Sequence, residues 1–73
     1  MITNKTRSAV LTVFRTIYPE AITRHGIREV TGIHPASLEK LLAEYLDAGV
    51  IEELRIRHSR TAFRLKYLNA HDK

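Results

Sequence analysis

The sequence predicts an α+β fold in which three helices are followed by a two-stranded antiparallel β-hairpin. The 73 residues are read as one domain, with an ordered core of about residues 4–68. Apolar residues recur with the helical period of 3.6 as far as Asp47, and beyond Gly49 the period falls to 2. Three stops, Pro19, Gly32 and Gly49, divide the helices from one another and from the strands.

In the first segment Val10, Val13, Phe14 and Ile17 fall at i, i+3, i+4 and i+7, and Leu11 and Tyr18 widen the same face. Thr3 or Thr6 suits the N-cap, and Pro19 pushes the residue before it out of helical geometry, so the helix is expected over about residues 4–18. The short run Ala21-Ile22-Thr23 leads into a second helix, Arg24 to Thr31, that presents Ile27 and Val30 to a core. Eight residues are too few for a helix to stand alone. Gly32 can take positive φ and end it, and Ile33-His34-Pro35 opens the third helix with proline at its first position.

The third helix, Pro35 to about Asp47, gathers Leu38, Leu41, Leu42, Tyr45 and Leu46 on one face and ends at Gly49. Leu54 and Ile56 then alternate with Arg55 and Arg57, and Phe63, Leu65 and Tyr67 alternate with Arg64 and Lys66. Two strands are expected, joined by a polar loop, His58-Ser59-Arg60-Thr61. Asn69 to Lys73 reads as a frayed tail.

Composition narrows the chemistry. A domain this small buries only about 60% of its unfolded surface, which leaves little room for a deep catalytic pocket or a small-molecule substrate. With no cysteine there is no disulfide, thiolate metal site or Cys nucleophile. His25, His34, His58 and His71 are dispersed, Ser37 and Ser59 lack a base at triad spacing, and no Gly-rich phosphate loop occurs. No enzyme, metal or cofactor is expected. Met1 to Ser8 is polar with no apolar run behind it and nothing is long enough to span a bilayer, so a cytoplasmic protein is expected. Twelve Lys and Arg against eight Asp and Glu give a formal charge of +4. That sum names no partner, but its distribution is uneven. Arg55 to Lys66 holds five bases and no acid, whereas Glu39 to Glu53 holds five acids and one Lys.

Gly32-Ile33, the apolar Leu38, Leu41 and Leu42, and the passage Leu46-Asp47-Ala48-Gly49-Val50-Ile51 stand in an order of elements that resembles the winged helix-turn-helix family of DNA-binding proteins. The resemblance covers roughly residues 6–68, and the length is similar to that of the smallest bacterial, phage and plasmid regulators. The chain differs from the family at Arg28, where a small residue is usual, and at Thr31, where a larger apolar one is usual. A guanidinium is not buried without a partner. Arg28 is therefore expected to face outward through a shift of helix register, or the helix to pack differently.

The resemblance implies a sequence-specific regulator of transcription that binds double-stranded DNA and acts in the cytoplasm, on the nucleoid if the source is bacterial. A recognition helix at about residues 35–47 would enter the major groove by its N-terminal end, the orientation its dipole favours. His34, Pro35, Ala36, Ser37 and Lys40 would then meet base edges through hydrogen bonds and a methyl contact. Glu44 and Asp47 must stay clear of phosphates. A basic wing at about residues 54–67 would hold the backbone or a narrow minor groove, with Arg57, His58, Ser59 and Arg60 at its tip. Arg55, Arg64 and Lys66 would lie on the strand face opposite Leu54, Ile56, Phe63 and Leu65, and Arg24 and Arg28 would add backbone contacts.

A winged-helix module for protein partners is the alternative, with Glu39, Glu44, Asp47, Glu52 and Glu53 in its contact surface. The basic hairpin is also compatible with a merely solvated strand edge. Single-stranded nucleic acid fits less well, because Phe63 and Tyr67 are expected inside. Size and family habit together point to a homodimer that reads two half-sites, meeting through the first helix and the C-terminal tail.

Overall fold

The helix N-termini are capped from outside by the residues the sequence offers. Thr3 Oγ1 accepts from the Thr6 N–H at 3.1 Å, Thr23 Oγ1 from the Gly26 N–H at 3.1 Å, and His34 Nδ1 from the Ala36 N–H at 3.1 Å. These caps open α1 (Asn4–Ile17), α2 (Arg24–Thr31) and α3 (Pro35–Asp47), which are followed by β1 (Ile51–Arg57) and β2 (Arg60–Leu65) in an antiparallel pair. This is the predicted α+β layout. The computed structural model describes residues 2–58 and 60–67, so Ser59 and the C-terminal tail lie outside the described residues.

The helix ends are equally local. Gly32 takes φ 72° and its N–H bonds the Arg28 carbonyl at 2.8 Å. The Thr31 hydroxyl donates to the Ile27 carbonyl at 2.8 Å and accepts from the Ile33 N–H at 3.2 Å. A leucine there would leave the Ile33 N–H without that acceptor. Gly49, at φ 77°, lets the Val50 N–H return to the Tyr45 carbonyl at 2.9 Å and closes α3. Arg28 is exposed, and the bounds of α2 are those predicted.

One core unites all five elements. Val10, Leu11 and Phe14 of α1, Ile27 of α2, Ile33 of the turn, Leu38, Leu41, Leu42 and Tyr45 of α3, Ile51 of β1, and Phe63 and Leu65 of β2 pack together. Ile22 pairs with Phe63 on the outer side of β2, each N–H bonding the other's carbonyl at 2.8 Å. β2 is therefore the middle strand, and the extended run at Ala21-Ile22-Thr23 contributes a single bridge. Among the described residues no helix is long and apolar enough to cross a membrane.

The hairpin differs from expectation in four ways. β1 begins at Ile51, before Leu54, and β2 ends at Leu65. Arg60 pairs with Arg57, so Arg60 and Thr61 belong to the strand and not to the loop. The register shifts between Arg55 and Arg57, making Ile56 the extra residue of a β-bulge. Without that bulge Leu54 would stand opposite Phe63; with it, Leu54 stands opposite Ala62 and Ile51 opposite Leu65. A one-residue slip changes the face of every side chain beyond it. Ile51, Glu53 and Arg55 therefore share a face with Phe63 and Leu65, while Leu54 shares the other with Ala62, Glu52 and Arg64. The expected face of Leu54, Ile56, Phe63 and Leu65 is not formed, and Ile56 is 53% exposed.

Two further residues expected inside are outside. Tyr67 is 53% exposed, one residue beyond Lys66, whose N–H still bonds the Val50 carbonyl at 3.1 Å. Val30 is 69% exposed. It borders an open groove against Ser8, Ala9 and Thr12 of α1, whose short side chains do not cover it.

Candidate nucleic-acid interface

The start of α3 is presented by the turn before it. Gly32 reverses the chain, Ile33 anchors it in the core, and His34, Pro35 and Ala36 follow on the surface. Because Leu38, Leu41, Leu42 and Tyr45 face inward, a rotation of 100° per residue puts Ala36, Lys40, Ala43 and Asp47 on the outward ridge, and all four are exposed. Ser37 lies on one flank and is half-buried. His34 accepts at Nδ1, so in the neutral ring the proton is on Nε2, a donor facing away from the helix.

The acids flanking this ridge are paired. Arg7 of α1 grips Glu44 with two bonds, Nη1 to Oε1 at 2.5 Å and Nη2 to Oε2 at 3.2 Å. This hydrogen-bonded pairing lowers the Glu44 carboxyl below its ordinary range and raises the Arg7 guanidinium. Burial pushes the neighbouring Tyr45 hydroxyl up. On the other flank Arg24 Nε donates to Glu39 Oε2 at 2.5 Å. Within the sheet Arg64 Nε donates to Glu52 Oε2 at 2.6 Å. Arg24 and Arg64, both expected on a DNA backbone, are thus held by carboxylates of the protein itself, while Arg28 is exposed.

The end of the hairpin is different. Arg55, Arg57, His58 and Arg60 near the turn are exposed, as is Lys66 at the opposite end of the hairpin beside Val50, and among the described residues the side chains of Arg55, Arg57, Arg60 and Lys66 enter no hydrogen bond or ion pair. They do not form the single basic strand face that was expected. Arg55 lies on the face of Phe63 and Arg64 on the opposite one, a direct result of the bulge. The positive charge collects toward the turn.

Three residues at this surface escape a reading of the sequence for base contacts. Ala43 continues the ridge at i+7 from Ala36, and that spacing alone was enough to find it. Lys5 and Arg7 of α1 line open grooves shared with Ser37 on α3, Lys5 beside His34 and Arg7 beside Lys40. Their signal is that the first acid in the chain is Glu20. Among the described residues no three His, Asp or Glu side chains gather as metal ligands. No protein-family model matches this chain, and no curated protein or solved structure matches it.

Proposed function

We propose that this chain is a sequence-specific, double-stranded-DNA-binding regulator of transcription of the winged helix-turn-helix kind, without enzymatic activity, acting in the cytoplasm. The supporting observation is electrostatic. On α3 the flanking carboxylates of Glu39 and Glu44 are each closed by an arginine from a neighbouring helix, which leaves a low ridge of Ala36, Lys40 and Ala43, with Asp47 only at its C-terminal end, and a hairpin end whose arginines have no partner among the described residues. A helix bearing small and basic residues suits the major groove, which is wide enough to accept it. Base edges fall to His34, Pro35, Ala36, Ser37 and Lys40, and phosphates to Arg28, Arg55, Arg57, His58, Arg60 and Lys66. The protein-contact alternative loses three of its five acids, Glu39, Glu44 and Glu52, to these internal pairs.

Titration against random-sequence duplexes at two salt concentrations tests the proposal. If about four of these six residues neutralise a phosphate, log K falls against log salt with a slope of roughly −3.6. No binding at low salt, or binding without preference among sequences, would refute sequence-specific reading.

A further inference from the structure

We propose that Arg24 is a positioning residue that fixes the hairpin beside the reading end of α3, and not a ligand for phosphate. For its functional consequence this rests on the DNA-binding reading above. The Arg24 guanidinium meets three groups at once. Nε donates to Glu39 of α3 at 2.5 Å, Nη1 donates to Thr61 of β2 at 3.1 Å, and its central carbon stands 5.0 Å from the centre of the Phe63 ring. Among the described residues, the Arg7–Glu44 and Arg64–Glu52 pairs do not span the same gap. Arg7–Glu44 joins two helices, and Arg64–Glu52 joins two strands.

The geometry explains why such a link is needed. Ile22 and Phe63 make the one backbone bridge between the segment before α2 and β2. One bridge is a pivot. Arg24 is two residues after Ile22 and Thr61 two before Phe63, so the Arg24–Thr61 bond continues the same antiparallel register, after the backbone of α2 has turned away into its helix. Two points along a strand fix its direction where one does not. The same guanidinium reaches Glu39, which immediately precedes Lys40, so the hairpin's direction is set against the ridge of α3. A planar fork of donors can serve all three contacts, whereas an ammonium is a point charge.

Lysine substitution therefore separates the two roles. A duplex selected by the wild-type chain from a random library, and a scrambled duplex, are titrated at two salt concentrations with the wild type, Arg24→Lys, Arg24→Gln and Glu39→Gln. Positioning predicts that all three variants lose about tenfold of the discrimination between the duplexes, with the salt slope unchanged. A phosphate ligand predicts the reverse: Arg24→Lys binds like the wild type, Arg24→Gln flattens the slope by about 0.9, and Glu39→Gln tightens binding. That pattern overturns the proposal. Amide exchange in the free protein provides a measurement that needs no DNA. Phe63 and Ile22 are expected to exchange about two- to fivefold faster in Arg24→Lys and Glu39→Gln, the scale of losing an exposed ion pair, with Leu41 unchanged. Unaltered exchange at Phe63 overturns it. A wild-type chain that binds no duplex at low salt refutes the DNA-binding reading, and the exchange result then decides the positioning role alone.

Discussion

Gly32 shows how one residue orients the N-terminal end of α3. It holds φ at 72°, and nothing lies within 4 Å of where a Cβ would stand. The cost of Gly32→Ala is therefore one of backbone alone, about 1–2 kcal/mol for a side chain forced into left-handed geometry. Chemical denaturation is expected to show that loss with an unchanged m-value. On the proposed DNA-binding reading, residues further along carry the recognition. Lys40→Ala and Ser37→Ala are expected to change which duplexes are preferred, and Arg60→Ala to weaken all duplexes alike while reducing the salt slope by about 0.9. If Arg60→Ala altered preference and Lys40→Ala did not, the assignment of base and backbone contacts would be inverted. Ala43 is informative because it is small. Ala43→Glu places a carboxylate on the ridge, so it is expected to abolish binding to every duplex with the melting temperature nearly unchanged.

At the scale of elements, α1 and α3 are joined across their exposed edges by Arg7 and Glu44. The Glu44 carboxyl is held below its ordinary range by the hydrogen bonds from Arg7. A group that titrates lower when folded than when unfolded contributes stability above its unfolded pKa and loses it as pH falls through the folded value. The pair thus stabilises at neutral pH and ceases to do so in acid. Melting temperature followed against pH is expected to fall less steeply in acid for Glu44→Gln than for the wild type; identical profiles would show that the pair is energetically silent. The elements also differ in how far they could be read from the chain. Bounds of α2 and α3 follow from Thr23, His34-Pro35, Gly32 and Gly49, because caps and positive-φ stops act within a few residues. The hairpin's register does not. The bulge at Ile56 brings Ile51 and Phe63 to the same core face, a demand set by the helices packed beneath, and alternation within the hairpin alone places Leu54 there instead.

At the scale of the molecule, the sequence shows where charge is dense but not which charges cancel. Arg24 and Glu39 are 15 positions apart, and Arg7 and Glu44 are 37 apart, so neither pairing leaves a local pattern. Folding brings Arg7 and Arg24 onto the acidic stretch, neutralising one helix flank on each side of α3, and leaves the hairpin end uncompensated among the described residues. A DNA-binding domain of this size would read few base pairs, and we propose that two copies occupy paired half-sites. Sedimentation with a duplex carrying two sites is expected to show two chains per duplex; one chain per duplex at saturation would rule the dimer out.

The bridge between Ile22 and Phe63 also bears on how the chain reaches its fold. Between its two ends lie α2, the turn, α3 and β1, a closed loop whose size is marked by the 37 positions separating Arg24 from Thr61. Closing a loop of that length costs about 3 kcal/mol of chain entropy before any contact across it is gained. Helices and hairpin can form from near neighbours, but their docking cannot. The transition state is then expected to contain the helices with β2 not yet seated. Phe63→Leu should accordingly speed unfolding far more than it slows folding, and Leu41→Ala should slow folding, as rates measured on both sides of the denaturation midpoint would show.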